Sequence, residues 1–209
     1  NTALLDAYLN GNWYALQAEN SLLSAQQLAD LKGVNHYPKD RRGVIVCDPS
    51  LGGDACVIKA MENYKTIDEL ILYIREPMKI AGEMMVFGTK HKIPNYAADT
   101  TGGLGEAILD RIREVKPLSH RIYLSYATKD DSFRNGVNLR AEMAWHYMMK
   151  VIDKKIPYPL DEETRRQILA MRFKVVDSEG RIQMEKKADT RKRLGQSPDK
   201  ADTEIMGVW

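Results

Sequence analysis

The hydrophobic pattern changes character twice between residues 43 and 61. GVIVCD is apolar without alternation, PSLGG is turn-forming, and ACVIKAM is apolar again. Short unbroken apolar runs bounded by Gly and Pro read as strands buried on both faces, joined here by a tight turn. ELILYI (69–74) predicts a third strand that closes an antiparallel meander, and a helix follows from Pro77 through PMKIAGEMMVFGTKHK. YAAD (96–99) predicts a short strand ending at Asp99. After it, Gly102, Gly103 and Gly105 open the helix EAILDRIREV (106–115). RIYLSYA (121–127) is a further strand, and NGVNLRAEMAWHYMMKVID (135–153) a long helix with one apolar face. A hairpin over RFKVVDSEGRIQME (172–185), turning at Ser178–Gly180, precedes a basic helix and a last helix starting at Pro198. Ahead of all this, LLDAYLNGNWYALQ (4–17) and SAQQLADLKG (24–33) are amphipathic. The second has Ser24 as its N-cap and Gly33 at its end. VNHYPKDRRG (34–43) is a polar connector. Strands alternating with helices after a meander give an α/β fold: a mixed sheet flanked by helices, with a helical N-terminal extension and an extra β-hairpin near the C-terminus.

Composition narrows the function classes. The 209 residues are 44% hydrophobic and 29% charged, which suits one sizeable core or one core plus an appendage. No apolar run of ~18 residues could span a bilayer, and NTALLDAYLNGNW lacks the basic and apolar regions of a signal peptide, so an intracellular soluble protein is expected. The two cysteines, Cys47 and Cys56, cannot build a disulfide framework or a CxxC metal site, and they read as small buried residues. There is no P-loop, no H-E-x-x-H and no G-x-S-x-G. Net charge is only +2, but residues 181–200 hold seven basic and three acidic side chains, so the remainder is net negative. Such a run is either a solvated helix face or a phosphate-binding surface.

Carboxylates at strand ends carry the candidate chemistry. Asp48 and Asp99 each stand where a buried strand leaves the core, the place where open α/β sheets gather their sites. Asp199 and Asp202, three residues apart, share one face of the last helix. If that helix crosses the strand ends, three or four carboxylates converge with no matching cysteines or histidines, a hard-oxygen set suited to Mg²⁺ or Mn²⁺. Two such ions support in-line phosphoryl chemistry. Each aspartate also has a plainer reading: Asp48 as an Asp-Pro turn former, Asp99 as a cap of the following helix or of the Gly-rich turn, and Asp199 as a first-turn helix charge.

VIVCDPSLGGDACVI, then YAADTTGGLGEAILDRI about fifty residues on, then RKRLGQSPDKAD, together resemble the nuclease domain of the large terminase subunit of tailed bacteriophages. SFRNGVNLRAEMAWHYM looks like the segment leading into that family's long helix, so the similarity runs from about Gly43 to Met206. YLNGNW is similar to the junction that follows the family's motor domain. The resemblance implies that residues 1–40 are a helical linker from a preceding motor domain and residues 41–209 a ribonuclease H-like nuclease domain. The implied activity is metal-dependent cutting of concatemeric viral double-stranded DNA during packaging, with two Mg²⁺ or Mn²⁺ ions when DNA is bound. Carried over by position, Asp48 bridges both ions, Asp99 holds one and Asp199 the other, while Asp202 supplies or supports a ligand. Asp54 matches an acidic position in the hairpin turn and is assigned to the turn. The implied partners are the motor domain, the small terminase subunit and the portal protein, with no membrane, in host cytoplasm at the procapsid portal. Beside the resemblance, Lys186, Lys187, Arg191, Lys192, Arg193 and Lys200 become candidate DNA-phosphate contacts. The alternatives are another ribonuclease H-like nuclease, such as a junction resolvase, and a non-catalytic basic module that binds DNA or docks on a capsid.

Overall fold

The computed structural model describes residues 20–35, 43–50 and 53–209. The helix expected over residues 4–17 and most of the polar connector lie outside these. Ser24 does cap a short helix, α1 (Ala25–Ala29), through a reciprocal capping box with Gln27.

The centre is a five-stranded sheet in the order β3-β2-β1-β4-β5. Its strands are β1 (Val44–Asp48), β2 (Cys56–Glu62), β3 (Lys65–Leu72), β4 (Asn95–Asp99) and β5 (His120–Leu124). The first three pair antiparallel as a meander, whereas β4 and β5 run parallel to β1. The mixed sheet expected from the sequence is therefore present. All residues of β1 and β4 are buried, which accounts for their unbroken apolar character.

β3 begins at Lys65 rather than Glu69, because Asn63 and Tyr64 both adopt positive φ and form a two-residue hairpin turn without glycine. Its half-exposed edge position hides the apolar signal of its first half. β5 ends at Leu124, three residues early. The amide of Tyr126 donates to Thr101 Oγ1 instead of continuing a ladder.

Side chains alternate between two cores. Ile45, Cys47, Ile58, Tyr96 and Ala98 pack against α2 (Pro77–His91) and α3 (Leu104–Val115). Val44, Val46, Met61, Ala97 and Leu124 face α4 (Leu139–Ile152) and α7 (Asp199–Val208). The helix α7 lies very close to the sheet. A Cβ on Gly207 would sit 2.0 Å from Met61 Sδ, so only glycine permits that approach.

α4 starts at Leu139 instead of Asn135, since the amides of Asn135 and Gly136 are held by the Glu142 carboxylate and Asn138 becomes the N-cap. One helix has no counterpart in the hydrophobic pattern: α5 (Glu162–Ala170), capped by Asp161. Two of its three buried residues, Thr164 and Gln167, are polar, so it shows no apolar stripe. The hairpin β6 (Phe173–Val175) and β7 (Ile182–Met184) forms a separate two-stranded sheet, followed by the basic helix α6 (Lys187–Leu194). No helix among the described residues is long and apolar enough to cross a membrane. Cys47 and Cys56 are buried free thiols with sulfurs 3.6 Å apart, and burial pushes the Cys47 thiol well above its ordinary pKa.

Candidate metal centre

Strand register brings the first two aspartates together. β1 and β4 pair in parallel with Cys47 beside Ala98, so the next residues, Asp48 and Asp99, end adjacent strands on the same face. That face is the one α7 covers, and α7 delivers Asp199 and Asp202 from its first turn. All four aspartates are buried, at 9% exposure or less.

Three of them share one cation. Lys187, the first residue of α6, places its Nζ 2.8 Å from Asp48 Oδ2, 2.8 Å from Asp199 Oδ1 and 3.4 Å from Asp202 Oδ2. Asp202 is held on its other oxygen by Arg140, at 3.2 Å from Nη2, while its Oδ2 is buried and accepts no hydrogen bond. Ser197 Oγ donates to Asp199 Oδ1 at 2.6 Å. Asp99 Oδ1 accepts from the amide and hydroxyl of Thr101 at 3.0 and 2.7 Å and from the Tyr126 amide at 3.4 Å.

These contacts set the electrostatics. Burial lifts the Asp48 carboxyl from its usual range to about 7. The pull of Lys187 opposes that rise, and the charges of Asp202 and Asp199 add to it. Burial works against the charge on Lys187, yet the three carboxylates more than offset it and hold the ammonium above its ordinary pKa. Tyr126 is kept neutral, chiefly by burial and then by Asp202, Asp48 and Asp99.

The donor set fits a hard divalent cation. Oxygen ligands converge on a point where positive charge already sits, and one buried carboxylate oxygen has no hydrogen-bond donor. As arranged, no three acidic, histidine or cysteine side chains among the described residues form a coordination shell. The Lys187 ammonium takes up their common centre, so a metal ion would bind by displacing it.

The six basic candidates separate. Lys186, Arg191, Lys192 and Arg193 are exposed. Arg191 pairs with Asp54 at 2.9 Å, which gives Asp54 a second task beyond the turn. Arg193 pairs with Glu185, and Lys192 with Asp189 at 3.5 Å. Lys187 belongs to the carboxylate centre, and Lys200 is bound to Glu69 and Asp161. As arranged, the ammonium groups of these last two are engaged by carboxylates.

Two supporting contacts were not legible in the chain. Gln167 of α5, 3% exposed, accepts from the amides of Lys200 and Ala201 at 2.9 and 3.1 Å. It caps α7 from outside, where Pro198 offers no side chain to do so. Lys59, 1% exposed, joins Glu204 of α7 at 2.8 Å and Thr164 of α5 at 3.0 Å. The acidic first turn of α5 was the available signal for Gln167. Nothing in ACVIKAM marks Lys59 as buried.

Gln167→Leu leaves two buried amides without an acceptor, so a loss of about 3 kcal/mol is expected. That corresponds to a fall in Tm of roughly 6–12 °C. Gln167→Glu keeps the acceptor but sets a second carboxylate against Glu163 Oε1, which the Gln167 amide meets as a donor at 2.9 Å, so it should recover most of the loss in a thermal melt only when combined with Glu163→Gln. Equal melting of Gln167→Leu and this double variant would argue against the capping role.

Comparison by sequence gives no matching family model and no matching curated protein. Comparison by structure gives clear matches. The nuclease domain of the large terminase subunit of bacterial virus Sf6 superposes with a TM-score of 0.72 at 14% identity, covering 90% of this chain and 98% of that one. A lysine-to-alanine mutant of that Sf6 domain with manganese gives 0.71 at 12% identity, covering 90% and 99%. The large terminase nuclease from thermophilic phage G20c with bound magnesium gives 0.63 at 14% identity, covering 91% and 97%. The shared architecture, a mixed five-stranded sheet between helical layers, is the ribonuclease H-like fold.

Proposed function

We propose that the chain is a divalent-metal-dependent DNA endonuclease, the nuclease part of a phage genome-packaging terminase. The observation that carries this reading is the convergence of Asp48, Asp199 and Asp202 on one cation position, with Asp99 beside them at the end of β4. The fold shared with terminase nucleases, two of them with manganese or magnesium, supports it.

Asp48, Asp99 and Asp199 would hold the metal, and Asp202 would complete or buttress the shell. When bound, two ions supply an activated water and stabilise the leaving oxygen of an in-line displacement at phosphorus. The protein's own groups prepare this. Ser197 and Thr101 fix the rotamers of Asp199 and Asp99 by hydrogen bonds. Arg140 neutralises Asp202 from behind, which lets several carboxylates share a small volume. Lys187 balances the cluster until metal arrives. Its displaced ammonium then joins Lys186, Arg191, Lys192 and Arg193, and the group orients duplex phosphates without reading sequence. The cutting of concatemers, the docking to a motor domain, small subunit and portal, and the site of action at the procapsid belong to the same proposal. Residues 1–40 would be the link to the motor.

Because the Asp48 pKa is raised to about 7, that proton must leave before metal binds. Mn²⁺ affinity should therefore rise about tenfold per pH unit between pH 5.5 and 7 and level off above. Stability of the metal-free protein moves the other way. The folded state keeps a proton that the unfolded chain releases near its ordinary pKa, so the Asp48 contribution is lost as pH rises towards 7. Calorimetric titration at several pH values checks the first, and melts in chelator the second. The functional test is nicking of supercoiled plasmid: cutting with Mn²⁺ or Mg²⁺ and none with chelator supports the reading, and binding without cutting in every metal favours the non-catalytic module.

A further inference from the structure

A cavity of about 450 Å³ opens beside Asp199, on the β2–β3 side of the carboxylates. Apolar walls come from Val57, Ile71 and the ring of Tyr73, and polar ones from Gln196, Arg191 and Lys200. Tyr73 directly follows β3, at the same sheet end as Asp48, and is 75% exposed, an unusual cost for a large ring. Gly53 and Gly195 also border the cavity, and a Cβ on either would meet nothing within 4 Å, so the mouth is open.

The charges speak against an anion as the occupant. Arg191 is already paired with Asp54 and Lys200 with Glu69 and Asp161, while Glu163 and Asp199 add negative charge to the wall. A neutral, flat ring with hydrogen-bonding edges suits this lining: one face stacks on Tyr73 and the edge meets amides and charged groups. The size is within the range of small-molecule sites and accepts a nucleoside.

Resting on the nuclease reading above, we infer that this cavity takes one unpaired nucleotide of the strand being cut, its base stacked on Tyr73 and its phosphate at the Asp48–Asp199 centre. A base within a duplex is covered on both faces and reaches the ring only when unstacked, so the preferred substrate is DNA distorted or mispaired next to the cut.

The test uses the whole chain with Ca²⁺, a hard cation able to bridge phosphate and carboxylate, and duplexes carrying 2-aminopurine, either paired or mispaired, followed by binding and fluorescence. Stacking on Tyr73 quenches the mispaired probe, and the mispaired duplex binds about tenfold tighter than the paired one. Tyr73→Ala loses both effects, whereas Tyr73→Phe retains them. The ring is exposed, so its removal leaves the core intact. Fluorescence identical in wild type and Tyr73→Ala, with DNA bound and plasmid cut in metal, overturns the cavity inference and leaves the nuclease reading standing. A Tyr73-dependent quench in a protein that cuts nothing in any metal supports the cavity and overturns the nuclease reading. No DNA binding at all overturns both.

Discussion

Asp48→Asn should reduce metal-dependent plasmid cleavage by well over 100-fold while leaving the fold intact. The side chain keeps its size, but its charge, shared with Lys187 at 2.8 Å, is lost. Changing a group that merely orients a ligand typically costs 10–100-fold in metal affinity or activity, and a ligand placed at the centre of the cluster should cost more. The variant should also melt no lower than wild type in chelator. Burial already disfavours the Asp48 charge, so a neutral amide there relieves repulsion with Asp199 and Asp202. A cleavage rate within threefold of wild type would remove Asp48 from the ligand set.

Lys187→Ala should behave in the opposite way towards metal. Removing the ammonium leaves Asp48, Asp199 and Asp202 facing one another in a buried volume. Breaking a wholly buried pair costs about 3–5 kcal/mol. The Lys187 side chain keeps 37% exposure, so about 2 kcal/mol is the better expectation, a fall in Tm of roughly 4–8 °C in chelator. Mn²⁺ should then restore more stability to the variant than to wild type, because it no longer has to displace a competitor. A variant that melts like wild type and gains nothing extra from Mn²⁺ would mean that Lys187 does not hold the metal position.

The sequence revealed the carboxylates better than it revealed what surrounds them. Asp48 and Asp99 were legible because both end apolar strands, and strand pairing then puts them side by side. The three-residue spacing of Asp199 and Asp202 needed only a helix to align them, and α7 supplies it. Lys187 was visible as one of several basic residues in KKADTRKRLG, but helical phase relative to a distant sheet decides which lysine turns inward, and local pattern does not encode that. Lys59, Gln167 and Arg140 were hidden for the same reason. Each is polar, each is satisfied by residues more than thirty positions away, and each would look like surface in a hydropathy profile. α5 leaves no apolar stripe in the chain because its buried face is built from Thr164 and Gln167, whose hydrogen bonds tie it to Lys59 and to α7.

The most direct test is diffraction from crystals soaked in Mn²⁺, recorded at the manganese absorption edge. The expected result is an anomalous peak within coordination distance of Asp48 and Asp199, with the Lys187 ammonium displaced from between them. A map without manganese at these aspartates, and with Lys187 still seated among them at saturating Mn²⁺, would contradict the account.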